Sequence, residues 1–159
     1  MARNIIATLE CFVRKDGKYL MLHRSSEKRI MPGVWMAPGG KREACEGLFE
    51  CARREILEET GLKIKNLRIK AAGCAYLKDI NQELNIHFLT ADYADRELKQ
   101  DPNNGELVWL MPEEIAKLDN LLAEIHEILP HIFSDDGNVI SYHAVYEKGN
   151  DMVEFRIES

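Results

Sequence analysis

The sequence PGGKREACEGLFECARREILEETGL, from Pro38 to Leu62, decides the fold, because a glycine-rich start leads into a charged helix-forming run that ends at Gly61. A glycine just after a periodic run commonly ends a helix in the left-handed conformation. Residues three and four positions apart share one helix face. The stretch therefore predicts a helix over Gly47–Thr60 whose last turns carry three neighbouring acids, Glu55, Glu58 and Glu59.

These acids stand where an isolated helix would disfavour them. Like charges at this spacing cost about 0.2–0.5 kcal/mol a pair. The C-terminal end of a helix is also the negative pole of its dipole, which disfavours anions by about 0.3–1 kcal/mol each. A solvated acidic face is one reading of such a run. A bound divalent cation would explain both unfavourable features, and carboxylate oxygens without neighbouring His or Cys suit Mg²⁺ or Mn²⁺.

The glycine pair before the helix indicates what such a cation would do. Gly39 and Gly40 have no Cβ, so their backbone can approach a ligand closely and their carbonyls can complete a coordination shell. Mg²⁺ in proteins is commonly held by a few carboxylates together with substrate phosphates. The combination predicts metal-assisted attack of water on a phosphate chain.

The same stretch resembles the Nudix box, G-x5-E-x7-R-E-U-x-E-E-x-G-U, in which U is aliphatic. Every fixed position between residues 40 and 62 is filled: Gly40, Glu46, Arg54, Glu55, Ile56, Glu58, Glu59, Gly61 and Leu62. The resemblance implies a Nudix hydrolase with an α/β/α sandwich fold, a mixed sheet and a loop–helix–loop box. Such enzymes use a divalent metal to cleave a nucleoside diphosphate linked to another group.

Site residues follow from the resemblance. Glu55, Glu58 and Glu59 are expected to bind Mg²⁺ or Mn²⁺ together with the Gly40 carbonyl, and Glu46 and Arg54 to brace the helix as a salt bridge. A general base must take a proton from the attacking water. In the family this base is a box glutamate or a glutamate from a later loop, for which the candidate is Glu106; an exposed acid at a strand start is its alternative.

Residues near the box are candidates for holding the substrate. Arg24, at the end of a predicted strand, and Lys41 could contact a phosphate, alongside the Gly39 backbone; for Arg24 the alternative is a surface arginine. Trp35 could stack on a base. Trp109 could also stack, although core packing is favoured. The reading of a purine edge by Asp119 and Asn120 depends on distant similarity alone.

The segment GVWMAPGGK (Gly33–Lys41) looks like the MutT-like and oxidised-purine members of the family. The C-terminal segment, about residues 139–157, is faintly similar to the hairpin of the mammalian oxidised-purine triphosphatase. ADP-ribose enzymes often carry a proline about fifteen residues past the box, where this chain has Leu77 and Lys78, and dinucleoside-polyphosphate enzymes a tyrosine slightly further on. The favoured function is hydrolysis of a nucleoside triphosphate, 8-oxo-dGTP being one candidate, to the monophosphate and pyrophosphate. The alternatives are another nucleoside diphosphate derivative (ADP-ribose, a nucleotide sugar, a dinucleoside polyphosphate or capped RNA) and a non-catalytic nucleotide-binding regulator.

Composition bounds the remaining choices. The 159 residues fit one domain, and the net charge of −6 argues against a protein that coats duplex nucleic acid. The four cysteines form no C-x-x-C pair and are expected to be reduced thiols. The longest apolar runs are too short for a membrane span, and the first ten residues lack a signal-peptide stretch. A cytoplasmic monomer or homodimer acting on a small nucleotide is expected.

The pattern of the remaining chain predicts a mixed sheet covered by helices. Strands are expected at each β-rich run, with a hairpin turn at Lys15–Lys18 and a loop over Ser25–Gly40. Apolar residues recur at helical spacing from Pro112 to Phe133, which predicts one helix packed on the core. A closing hairpin is expected around the KGND turn, residues 148–151.

Overall fold

The computed structural model describes residues 4–159. Residues 1–3, part of the stretch considered above for a signal peptide, lie outside the described residues. The strands are β1 (Ile5–Lys15), β2 (Lys18–Arg24), β3 (Trp35–Met36), β4 (Gly39–Lys41), β5 (Lys63–Leu77), β6 (Gln82–Asp95), β7 (Gly105–Leu110), β8 (Ile140–Lys148) and β9 (Asp151–Glu158). The α-helices are α1 (Leu48–Thr60), α2 (Pro112–Ala116) and α3 (Ala123–Phe133).

Within residues 4–159 the strands form one mixed, nine-stranded sheet. Its main path runs β3-β2-β1-β6-β5-β8-β9, while β4 pairs with β1 and β7 pairs with β2. The β1–β6 and β5–β8 pairs are parallel, whereas the hairpins β1–β2 and β8–β9 are antiparallel. Parallel pairs need crossover connections, and these place helices over the faces of the sheet.

Two apolar cores lie on the sheet. One packs α2 and α3 against it, and its fully buried members include Phe12, Met21, Phe88 and Ile125. The other packs α1 against it through Cys51, Ala52 and Ile56. The result is the α/β/α sandwich that the sequence predicted. No helix among residues 4–159 is long and apolar enough to cross a membrane.

The prediction of one continuous helix from Pro112 to Phe133 is wrong, because the segment forms two helices, α2 and α3. The chain leaves helical geometry after Ala116, and Asn120 adopts a positive φ of 60°. Here the backbone bonds to Trp35 instead: the Trp35 N–H donates to the Asn120 carbonyl (3.0 Å) and the Leu122 N–H to the Trp35 carbonyl (2.9 Å). The predicted apolar stripe still faces the α3-side core.

The segment predicted as a loop, Ser25–Gly40, also differs from the structure because it contains β3 and the start of β4. Both strands are very short, and their residues pair with β2 and β1, far away in sequence. The KDGK hairpin, the Gly61 helix end and the C-terminal hairpin are confirmed.

Candidate active site

The box glutamates lie on the face of helix α1 that points away from the core, because its opposite face packs against the sheet. Cys51, Ala52 and Ile56 are fully buried under the sheet. The helix ends at Gly61, whose φ of 78° lies in the left-handed region that favours glycine. Of the three predicted metal ligands, Glu58 is the most open, with 59% of its side chain exposed, whereas Glu55 retains 15%.

The glycine pair allows β4 to lie directly beside β1 and α1. A Cβ on Gly39 would stand 2.0 Å from the Leu9 carbonyl oxygen, and one on Gly40 would stand 2.3 Å from the Glu55 carboxylate. Contacts this close are not available to any residue with a side chain. The Gly39 N–H also donates to Glu59 Oε2 at 2.9 Å. Gly39 is therefore needed for β4 to lie against the backbone of β1, whereas a Cβ at Gly40 would have to displace the Glu55 carboxylate.

Arg54 contacts several residues of the box, and its expected salt bridge to Glu46 is present. Arg54 Nε lies 2.6 Å and Nη2 lies 2.8 Å from the two Glu46 oxygens, a bidentate arrangement. Nη1 lies 2.7 Å from Glu55 and 3.3 Å from Glu58, and Nη2 also donates to the Lys41 carbonyl at 3.0 Å. Chiefly through the hydrogen bonds from Arg54, the pKa of Glu46 falls to about 2.

Glu55 and Glu59 are partly buried carboxylates whose ionised forms a nearby cation would stabilise. Burial raises the pKa of Glu59 to about 7, against the opposing hydrogen bond from the Gly39 N–H. Burial likewise raises the pKa of Glu55, and the neighbouring Arg54 opposes that rise. A buried carboxylate gains most from a nearby positive charge.

The box donors fit a hard divalent cation in chemistry, although they are not gathered around one point. Among residues 4–159, no three His, Cys, Asp or Glu side chains are already grouped closely enough to hold a metal. Glu55 is held by Arg54 and Glu59 by Gly39. The Gly40 carbonyl accepts a hydrogen bond from Thr8 Oγ1 at 2.9 Å. All four donors are oxygens, as Mg²⁺ and Mn²⁺ prefer.

A cavity of about 480 Å³ adjoins the box. We call the part formed by Gly39–Lys41, Glu55 and Glu59 the box end. Apolar side chains form much of the wall, among them Ile30, Met31, Val34, Met36, Leu84 and Ile86. The part containing Glu10 and Glu124 we call the acid end; Glu124 belongs to α3, which packs on the opposite face of the sheet from α1.

Three of the four predicted substrate-binding residues line this cavity: Arg24, Gly39 and Lys41. Arg24 is held in place because its Nε donates to the Ile30 carbonyl at 2.7 Å. Burial lowers the pKa of Arg24, and the nearby Glu59 and Glu10 oppose that change. An anchored, half-buried guanidinium beside the box end is well placed to meet a phosphate.

Other predicted residues are not brought to the cavity. Trp35 lies outside its lining and stacks flat on His23, with ring centroids 4.4 Å apart. Trp109 packs against the α1-side core, as the core-packing alternative expects. Glu106 is exposed on β7 opposite His23.

The pair considered for reading a purine edge is also elsewhere. Asp119 is exposed on the chain between α2 and α3. Asn120 Nδ2 donates to the Gly33 carbonyl at 3.0 Å, and its Oδ1 accepts from Asn150 at 3.2 Å. Neither residue lines the cavity. Asn120 instead fixes the chain reversal that interrupts the predicted helix.

Sequence reasoning missed the two acids at the acid end. Glu10 and Glu124 each retain 3% exposure, and burial is the main cause that raises the pKa of both. The Ala37 N–H donates to Glu10 at 2.9 Å. A signal was available: each acid interrupts an apolar run, Glu10 in β1 and Glu124 in the core-facing stripe of α3. Charged residues are almost never fully buried unless they have partners.

Comparison with known proteins agrees with this geometry. The NUDIX domain family model matches residues 5–132. The nucleoside triphosphatase NudI of Escherichia coli is 29% identical over 124 residues, covering 70% of this chain and 86% of the relative. NudI of Salmonella paratyphi B is 28% identical over 135 residues, covering 76% and 93%.

Solved structures show the same fold. The MutT protein of Bacillus halodurans superimposes with a TM-score of 0.82 at 24% identity, covering 96% of this chain and 97% of that one. An ADP-ribose pyrophosphatase of Streptococcus suis gives a TM-score of 0.61 at 16% identity, covering 84% and 96%. The chain belongs to the Nudix family, as its box indicated. Within that family it is a Nudix hydrolase, of the pyrophosphohydrolase type that the sequence predicted.

Proposed function

We propose that this protein hydrolyses a nucleoside triphosphate to the nucleoside monophosphate and pyrophosphate, with Mg²⁺ as the working metal and Mn²⁺ as a substitute. The observation that carries the proposal is the cavity, because its box end adjoins a part with apolar walls that suit the base and sugar of a nucleoside. Ligand pockets combine apolar walls with a few placed polar groups in this way. The resemblance to NudI triphosphatases supports the substrate class.

In the proposed reaction, water adds to a phosphorus atom of the triphosphate chain and pyrophosphate leaves. Glu55, Glu58, Glu59 and the Gly40 carbonyl would hold the cation, whose charge offsets that of the departing pyrophosphate. Arg24 and Lys41 contact the phosphate oxygens. The Arg54–Glu46 pair holds Glu55 and the Lys41 backbone in position.

The proton of the attacking water must pass to a general base. We assign this role to one of the box glutamates, because these carboxylates lie beside the proposed cation and hence beside the water that it would orient. Glu106 is the alternative base and would have to reach the water from its exposed position on β7.

The damaged purine nucleotide 8-oxo-dGTP is the finer substrate that we propose, on the likeness of Gly33–Lys41 to oxidised-purine enzymes. The four cysteines, all within residues 4–159 and among them the exposed Cys45, are not joined in disulfides, which supports a reducing, cytoplasmic setting.

The test is release of pyrophosphate and phosphate, with Mg²⁺, from a panel of 8-oxo-dGTP, the ordinary triphosphates, ADP-ribose and a dinucleoside polyphosphate. Glu58→Gln is expected to lose about a thousandfold in kcat, because several kcal/mol of charge stabilisation depend on the cation. Its fold should persist, since Glu58 is largely exposed. The exposed Glu50→Gln on the same helix is the matched control. Release from ADP-ribose alone, or activity that survives EDTA, would contradict the proposal.

A further inference from the structure

The strand β9 forms one edge of the sheet, and its outer side is left open. Within residues 4–159 it pairs only with β8, so the N–H and C=O groups on its other side bond to no residue that the structure describes. β9 spans Asp151–Glu158 and contains neither proline nor lysine, two residues that commonly protect a sheet edge. An open edge of this length is a template for pairing with another strand.

Another edge strand of the same sheet, β7, is covered from within the chain. The Leu107 N–H donates to Gln100 Oε1 at 2.9 Å, and Gln100 Nε2 donates to the Leu107 carbonyl at 2.8 Å. The Gln100 amide therefore takes the place that a neighbouring strand would occupy beside β7. No side chain among residues 4–159 does the same for β9, which points to a strand supplied from outside the chain.

The side chains of β9 also suit a partner strand. Val153 is 53% exposed and Ile157 is 42% exposed, which is more than β-formers in a covered strand retain. The acid Glu154 and the base Arg156 are exposed on either side of Phe155. From Glu154 to Glu158 the strand pairs with β8 without a register shift, so this part of the edge is regular enough to receive another strand.

A second copy of β9 fits this edge in a definite register. Directly opposed side chains of an antiparallel pair lie on the same face, so a two-fold symmetric pair has at its centre a residue that meets its own copy. The two longest overlaps of β9 with itself are centred on Glu154 and on Phe155. Centring on Glu154 would set like charges against each other. Centring on Phe155 sets Glu154 opposite Arg156 of the second copy, and Val153 opposite its Ile157.

We propose that the protein forms a two-fold homodimer in which β9 pairs antiparallel with β9 of a second copy, in the register centred on Phe155. Two-fold symmetry makes each complementary contact twice, and the two sheets continue as one. A single strand pair buries less than the roughly 1,200–2,000 Å² of a stable interface, so a dissociation constant on the order of 10 µM is expected. No residue of β9 lines the cavity beside the box, so each copy keeps its own site.

The test is sedimentation velocity of the full chain between about 5 and 200 µM, at about 0.15 M salt. The wild type should pass from monomer to dimer over this range. Arg156→Glu would set glutamates opposite glutamates, and Glu154→Arg would set arginines opposite arginines. Each change should weaken the dimer at least about tenfold. Arg53→Glu makes the same change of charge at an exposed position of α1 and should leave the dissociation constant unchanged.

A mixture of the two charge variants tests the register itself. In a mixed dimer the two glutamates of the Arg156→Glu chain lie opposite the two arginines of the Glu154→Arg chain. An equimolar mixture should therefore dimerise with a dissociation constant within about threefold of the wild type. The net charge of −6 becomes −8 in one variant and −4 in the other, so attraction between oppositely charged molecules would not explain such a recovery.

A wild type that stays monomeric at the highest concentration would overturn the inference. So would a wild-type dimer that neither charge reversal weakens, or a mixture that stays monomeric. If thermal melting shows that either variant is unfolded, hydrogen exchange of the wild type decides. The amides of residues 151–158 should exchange more slowly at the high concentration than at the low one, and equal exchange would reject the pairing of β9.

Discussion

The box end of the cavity is assembled from one stretch of chain, whereas the acid end needs three. At the box end, Arg54 reaches Glu46 across eight positions and Gly39 reaches Glu59 across twenty. At the acid end, Glu10 comes from β1 and Glu124 from α3. Tyr142 and Tyr146, whose hydroxyls donate to the Glu124 carboxylate, come from β8. A site within one stretch leaves its spacing in the sequence. A site gathered from three elements leaves only isolated residues whose proximity depends on the whole fold.

The largest change in the free energy of unfolding is expected at Gly39, where the structure leaves no room for a Cβ. Gly39→Ala should lower the free energy of unfolding by about 3 kcal/mol, because its Cβ would meet the Leu9 carbonyl at 2.0 Å in the middle of a paired strand. Urea denaturation measures the change. Gly47→Ala is the control, since its Cβ would meet nothing closer than 4.0 Å, and it should cost less than about 1 kcal/mol. Equal costs would mean that β4 can shift away from β1.

The acid end should respond less, through lost hydrogen bonds. Tyr146→Phe should lower the free energy of unfolding by about 1–2 kcal/mol, because it removes a donor from Glu124 and an acceptor from the Glu124 N–H. Tyr76→Phe is the control, since its hydroxyl makes one exposed bond to Asn81 and its loss should cost under about 0.5 kcal/mol. A negligible cost in Tyr146→Phe would show that the acid end is not held by the hairpin.

The brace at the box end should appear as a pH dependence. The folded-state pKa of Glu46 is about 2 against an ordinary value of 4.5, so its stabilisation is present above pH 4.5 and is lost as the pH falls toward 2. The difference in urea midpoint between wild type and Glu46→Gln should therefore shrink steadily over that window. Glu50→Gln, exposed on α1, should differ from wild type by a constant amount. A gap for Glu46→Gln that stays constant down to pH 2.5 would argue against the brace.

The smallest effect is expected at Glu106. Its exposed position on β7, outside the cavity lining, predicts that Glu106→Gln keeps kcat within about threefold, as measured by pyrophosphate release. Removal of a general base typically costs a hundredfold or more. A loss of that size, with substrate binding intact, would transfer the base from the box to Glu106 and would make the catalytic centre depend on a second segment.

Sequence reasoning succeeded where a pattern is local. The helix α1 and its end at Gly61 follow from spacings of a few residues, because helical geometry converts spacing directly into a shared face. The Glu46–Arg54 pair followed from the resemblance to the Nudix box. Sequence reasoning failed between Ala116 and Ala123, where the apolar stripe continues but the helix does not. There the backbone of Asn120 and Leu122 bonds to Trp35, a competing partner that periodicity cannot reveal.

The sequence by itself determined the family and the box, because each depends on residues close together in the chain, and it supplied the acids that we propose as metal ligands. Only the tertiary structure decided that Arg24 lines the cavity, that Trp35 does not, and that Glu10 and Glu124 line it together. The physical reason is that burial and proximity between distant segments arise from packing the whole sheet. Whether a glutamate in an apolar run is buried beside a cavity therefore depends on residues of other strands and helices, which its own stretch of sequence does not reveal.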